Sequence, residues 1–174
     1  MKEIRLIALD VDGVLTDGKL YFGEHGEMAK AFHVFDGMGI SLARKSGIKI
    51  AVITGRYSPM VQKRAEELHI EYIYQGIGEK LSVFVNICQE MGICLEEAAY
   101  IGDDLNDLGC IVQAGFGACP ANACAEVKAA AEYCSPLYGG EGAVRDIIEK
   151  ILKENGTWNA LVAAYGAGRM QTEQ

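Results

Sequence analysis

Acidic residues gather where apolar runs stop. Asp10 and Asp12, in Asp10-Val11-Asp12-Gly13-Val14, follow the run 4–9, and Gly102-Asp103-Asp104-Leu105-Asn106-Asp107 follows the run 98–101. Side chains two residues apart on an extended chain point to the same side. Asp10 and Asp12 therefore repel each other unless a cation lies between them, and a hard divalent ion with oxygen ligands answers that need. Magnesium fits best, and the second acidic cluster supplies the other half of its site. Between the clusters, Thr54-Gly55-Arg56 closes the run 48–53 and offers a hydroxyl and a backbone N–H to a phosphate oxygen. Lys80 adds a positive charge early in a helical pattern.

These residues converge only if the runs that precede them are neighbouring strands. The runs 4–9, 48–53 and 98–101 are nearly unbroken apolar stretches, which suit a parallel sheet covered on both faces. Shorter strand candidates lie at 72–74, 115–118 and 132–134. Helical patterns separate them. Over 79–91, Leu81, Phe84, Val85 and Cys88 share one helical face, and Gly92 ends the helix. Ser58-Pro59 reads as an N-cap and a first-turn proline, opening a helix that buries Val61, Ala65 and Leu68. A further helix begins near Gly142, with Val144, Ile147, Ile148, Ile151 and Leu152 on its core stripe. Alternating strands and helices predict an α/β fold, a three-layer Rossmann-like sandwich around a central parallel sheet. The rhythm breaks once, where 19–22 and 28–32 flank a glycine-containing turn and predict a β-hairpin inserted after the first strand. Carboxyl ends of parallel strands are where such sheets place ligands.

Composition narrows the alternatives. A chain of 174 residues, half of them hydrophobic, suits one ordinary core. The expected organisation is a domain over 1–154 and a C-terminal tail over 155–174. In that tail Trp158, Leu161, Val162 and Tyr165 fall at helical spacing; it docks on its own domain, docks on a partner, or frays. A net charge of −8 argues against nucleic acid as a partner, since phosphate-backbone binding needs clustered Lys and Arg. No run approaches the ~20 apolar residues of a membrane span, and the N-terminal run is too brief for a signal sequence, so a cytoplasmic protein with no membrane partner is expected. Six cysteines without a C-x-x-C pair read as reduced core residues.

Each feature alone has an ordinary reading: a turn, a strand exit, a solvated lysine, a helix cap. A calcium loop starting at Asp10 fails because its twelfth position is Tyr21, not Glu. His25, His33 and His69 lack metal-ligand spacing and suit surface or hairpin roles. Taken in order, however, Asp10-x-Asp12, Thr54, Lys80 and Gly102-Asp103-Asp104-x-x-Asp107 resemble the four motifs of the haloacid dehalogenase superfamily of phosphatases over roughly the first 150 residues. That resemblance implies a Mg²⁺-dependent phosphomonoester hydrolase with a phospho-aspartyl intermediate. It implies Asp10 as nucleophile, Asp12 as acid and base, and Thr54 and Lys80 holding the phosphoryl group. It assigns the metal to Asp10, the Asp12 carbonyl and Asp103, with Asp104 and Asp107 orienting Lys80 or metal waters. Asp10 needs no base, because a carboxylate with an ordinary pKa is ionised at neutral pH.

The interval from Asp12 to Thr54 leaves no room for a cap domain, only the hairpin and one helix. Asp10 to Gly18, Phe35-Asp36-Gly37-Met38-Gly39-Ile40, Tyr74-Gln75-Gly76 and Gly139-Gly140-Glu141-Gly142-Ala143-Val144-Arg145 are similar to the uncapped branch that acts on ulosonate phosphates. The branch implies 3-deoxy-D-manno-octulosonate 8-phosphate as a small-molecule sugar phosphate substrate, on the way to lipopolysaccharide. The nine-carbon 2-keto-3-deoxynononate 9-phosphate is the alternative. It also implies a homotetramer whose hairpins join and whose neighbours cover each site. Gly55, Arg56 and Arg64 are candidate substrate-binding residues, and by resemblance Arg56 leans toward the eight-carbon compound, since the nine-carbon sibling tends to place an acid there and a guanidinium suits an ulosonate carboxylate. A catalytically idle scaffold and a phosphotransferase are the competing functions; intact acids and the missing cap argue against them.

Overall fold

The computed structural model describes residues 2–169. Six parallel strands form the sheet: β1 (Leu6–Leu9), β4 (Lys49–Thr54), β5 (Tyr72–Gln75), β6 (Ala98–Ile101), β7 (Phe116–Cys119) and β8 (Tyr133–Cys134), in the order β5-β4-β1-β6-β7-β8. The hairpin pairs β2 (Tyr21–Gly23) with β3 (Gly26–Ala29) as a separate two-stranded unit. Seven α-helices lie among the described residues: α1 (Val34–Lys45), α2 (Pro59–Glu67), α3 (Lys80–Met91), α4 (Leu108–Gln113), α5 (Ala125–Ala130), α6 (Ala143–Glu154) and α7 (Trp158–Gly166). The expected α/β sandwich is the fold found, and no helix among the described residues is long and apolar enough to cross a membrane.

Strand β1 shows why its run had to be apolar throughout. Its four residues are all buried, and they alternate between two cores. Ile7 and Leu9 face one core with Ile40, Val61 and the α6 stripe; Leu6 and Ala8 face the other with Phe84, Ile87 and Tyr100. The α6 stripe of Val144, Ile147, Ile148, Ile151 and Leu152 is buried as its spacing predicts. Each such side chain contributes about 1.5–3 kcal/mol on leaving water.

The glycine motifs of the uncapped branch serve this packing. Gly39 has room for no side chain without pressing on Arg145 of α6, where a Cβ would lie 3.1 Å from the Arg145 Cα. Beside it, Asp36 accepts the Arg145 N–H at 2.8 Å, joining the starts of α1 and α6. Gln75 accepts the Ser58 N–H at 2.9 Å and so fixes the entry to α2.

Four local expectations shift. On α3 the buried stripe is Lys80, Phe84, Ile87 and Cys88, so Ile87 takes the place expected for Val85. Ser58 precedes α2 and its proline as expected, but its hydroxyl makes no capping bond. The hairpin is tighter than 19–22 and 28–32: the ladder ends at Ala29, and Lys30 just beyond it turns its amine inward. Cys88, Cys110 and Cys119 are buried, whereas Cys94 and Cys134 are exposed and Cys124 is half-buried, so the thiols are not all core residues. The six-residue α4 and α5 carry too few turns for periodicity to reveal. The first part of the expected tail forms α7, with Leu161 buried in the first core; positions 170–174 lie outside the described residues.

Candidate active site

Three strand ends build the site. Asp10 extends β1 by one ladder bond, its N–H donating to Ile101 O at 3.0 Å. The chain then turns back on Val11, whose carbonyl accepts the N–H groups of Val14, Leu15 and Thr16. Thr54 ends β4, buried. Gly102 follows β6 and leads into a 3-10 turn over Leu105–Asp107, which Asp104 opens by accepting the Leu105 N–H at 2.8 Å. Lys80, first residue of α3, reaches up from below because Glu79 caps that helix, accepting the N–H groups of Leu81 and Ser82.

At the centre lies a buried ion pair network. Lys80 Nζ sits 2.9 Å from Asp10 Oδ2 and 2.8 Å from Asp107 Oδ1. Asp107 spends its capacity inside the protein: Oδ1 also accepts the Tyr100 hydroxyl at 2.9 Å, and Oδ2 accepts the Asp103 N–H at 3.2 Å. Burial pulls the Lys80 ammonium down, but Asp10 and Asp107 outweigh it and raise it. Burial pushes the Tyr100 hydroxyl up as well.

One lysine does not satisfy this many acids. Burial and the Asp107 charge push Asp10 up to about 6. Burial, with Asp10, Asp107 and Asp104, pushes Asp103 up to about 7. Asp10 is thus not the ordinary carboxylate its sequence suggests. Carboxylate oxygens of Asp10, Asp103 and Asp107 lie within 4.8 Å of one another, and Asp10 Oδ1 is buried with no partner. Gly13, at φ +87°, lets Asp103 press against the first loop: a Cβ there would lie 2.0 Å from Asp103 Oδ2. An all-oxygen donor set, an orphaned buried oxygen and two acids raised by burial and by neighbouring carboxylates fit a hard divalent cation. Asp107 is the poorest ligand of the three, since both its oxygens already accept hydrogen bonds.

A cavity of about 320 Å³ opens over this centre, lined in part by Asp10, Asp12, Thr54, Gly55, Arg56 and Asp103. Asp104 and Asn106 stand on its rim. Arg56 Nε lies 3.7 Å from Asp12 Oδ2, and its guanidinium stacks 6.0 Å from the Phe22 ring of the hairpin. Arg64 is not brought to this cavity. It pairs with Glu67 on its own helix at 2.7 Å and lies against Gly37 of α1. Asp104 caps a turn and lines the rim, so only Asp107 of the two later acids orients Lys80.

Sequence reasoning missed three participants. Lys30, nearly fully buried, pairs with both Asp12 and Glu27, tying the hairpin to the site. Nothing in the local pattern around Lys30 signals this. Tyr100 had a signal, a lone hydroxyl within an apolar strand run. Asn122 bridges the Gly13 carbonyl and the Gly139 N–H. As for the histidines, His33 caps α1, accepting the Phe35 N–H through Nδ1.

Comparison with known proteins agrees with this geometry. A family model described as haloacid dehalogenase-like hydrolase matches residues 36–115. The 3-deoxy-D-manno-octulosonate 8-phosphate phosphatase KdsC of Escherichia coli K12 is 41% identical over 89% of this chain and 82% of its own. The protein of the same name from Haemophilus influenzae is 36% identical over 95% of this chain and 92% of its own. Among solved structures, the phosphatase from Moraxella catarrhalis, in complex with magnesium ion, phosphate ion and a KDO molecule, superposes with a TM-score of 0.91 at 44% identity, covering 94% of each chain.

Proposed function

This chain belongs to the haloacid dehalogenase-like hydrolases, and from that membership we propose that it converts 3-deoxy-D-manno-octulosonate 8-phosphate to 3-deoxy-D-manno-octulosonate and phosphate. It is a phosphatase that uses magnesium. The single observation that carries the site reading is the partnerless Asp10 Oδ1, buried at the cavity floor while Lys80 holds Oδ2.

In this reading the Asp10 carboxylate attacks phosphorus, an acyl phosphate bond forms, and the bond to the sugar oxygen breaks. Asp12 gives its proton to the departing alkoxide. Asp12 then takes a proton from water, which attacks phosphorus, releases phosphate and restores Asp10. Thr54, the Gly55 N–H and Lys80 hold the phosphoryl oxygens, and Asp107 with Tyr100 keeps Lys80 aimed at Asp10. Asp10, Asp103 and the Asp12 carbonyl would hold Mg²⁺, which would further neutralise phosphoryl charge. In the same reading Arg56, nearly half exposed and 3.7 Å from Asp12, binds the ulosonate carboxylate; its support is a guanidinium at the cavity wall.

The same proposal includes an oligomer, a tetramer in the form the uncapped branch implies. Its support is the apolar hairpin surface, where Phe22 is 59% and Met28 67% exposed beside an open site. A cytoplasmic location belongs to it too, supported by six cysteines that are all free. The organisation into residues 1–154 and a tail is kept, with α7 docked on the first core as its support.

The test is a panel of sugar phosphates that includes the eight- and nine-carbon ulosonate compounds, assayed for phosphate release with Mg²⁺ and with EDTA. The eight-carbon ester is expected to have the highest kcat/KM, and EDTA to abolish release. Faster turnover of an unrelated sugar phosphate would sink the substrate assignment.

A further inference from the structure

We infer that Asn122 is a positioning residue for the reaction proposed above, locking the loop that carries Asp10 and Asp12 to the loop that carries Asp103. The inference rests on that reading of the acids. Asn122 Nδ2 donates to the Gly13 carbonyl at 2.8 Å, and Asn122 Oδ1 accepts the Gly139 N–H at 2.6 Å. The amide has only one orientation that serves both, because a backbone N–H can only donate and a carbonyl only accept.

The turn that carries Asn122 is tied to the second acidic loop as well. Cys124 N–H, two residues on, donates to the Asp103 carbonyl at 2.9 Å, and Ala121 N–H donates to Leu137 O at 2.8 Å. Residues 121–124 therefore join three segments that are distant in sequence: Gly13, Asp103 and the glycine pair at 139–140.

Gly13 is the residue whose setting matters. Its N–H reaches the Thr16 hydroxyl at 3.4 Å, its carbonyl is held by Asn122, and its α-carbon lies against Asp103. The peptide linking Asp12 to Gly13 is planar and trans, so fixing the Gly13 N–H toward Thr16 points the Asp12 carbonyl the opposite way. Pinning Gly13 at both ends thus fixes the direction of the Asp12 carbonyl relative to Asp103. Packing around the joint leaves no slack: a Cβ on Gly139 would lie 1.9 Å from the Gly13 oxygen, and Gly140 N–H donates to Val14 O at 3.1 Å. Asn122 itself is exposed on the surface, so its role is not core filling.

Asn122→Ala and Asn122→Asp test this, measured beside wild type. The Asp variant keeps an acceptor for Gly139 but sets an oxygen against the Gly13 carbonyl. Both variants are expected to lose about 10–100-fold in kcat and in the affinity for Mg²⁺ read from thermal stabilisation, as supports of metal ligands do. KM and the melting temperature in EDTA should stay near wild type. A kcat near wild type in either variant overturns the inference, as does a loss matched by a fallen melting temperature in EDTA with unchanged Mg²⁺ affinity. Wild type inert toward every phosphate ester would instead sink the underlying reading.

Discussion

The edge of the sheet and the hairpin beside it solve opposite problems. At the sheet edge Asp10, Lys80 and Asp107 are buried charges, each held by another from the same chain. The hairpin buries almost nothing of its own: Leu20, Phe22 and Met28 stay exposed, and one inward ion pair, Lys30 with Asp12 and Glu27, ties it to the site. A buried charge is costly in a low-dielectric interior, so Lys80 is paired within the chain by Asp10 and Asp107, while Asp10 Oδ1 has no protein partner. Apolar surface can wait for a neighbour at modest cost, and the hairpin is where a second copy has something to gain.

The largest expected effect lies at the sheet edge. Asp10→Asn should cut turnover by about 10⁴-fold or more while circular dichroism stays unchanged. Retained activity would transfer the nucleophile's role elsewhere. Next comes Lys80→Met, which leaves Asp10 and Asp107 uncompensated in the interior. It should cost roughly 3–5 kcal/mol in Mg²⁺-free urea unfolding as well as activity, since breaking a buried pair strands a charge. A variant as stable as wild type would show that the acids find relief without the amine.

The smallest effect on the fold belongs to the hairpin. Replacing Phe22 and Met28 together by Ser should change the unfolding free energy of the single chain by no more than about 0.5 kcal/mol, as surface changes do. Sedimentation should nevertheless show a smaller species, with lower activity per chain in dilute solution. Unchanged assembly would place the contact between copies elsewhere and blunt the contrast between the two regions.

Much of this could be read in advance. The runs before Asp10, Thr54 and Asp103 announced the strands, because a strand covered on both faces must be apolar at every position. The α6 stripe was equally plain, since five apolar residues at helical spacing leave one face to bury. Boundaries were weaker beside tertiary contacts: the hairpin ladder stops at Ala29, and the next residue, Lys30, pairs with an acid 18 residues away in sequence. Arg64 is a related case. Its spacing from Thr54 is compatible with the site, but its helix turns it toward Glu67 and Gly37.

By itself, then, the order of residues determined which groups stand at strand ends, because periodicity and polarity are local properties. It specified the acids, the threonine and the lysine in their sequence. Only the folded chain decided what those groups became. Burial and neighbouring carboxylates raised Asp10 and Asp103, two carboxylates whose residue type alone gives an ordinary acidity. Asp107 was drawn to Lys80 and Tyr100, and Asn122 came to bridge Gly13 and Gly139 across more than a hundred residues. Such effects depend on distance and dielectric in space, and neither is written in the spacing along a chain.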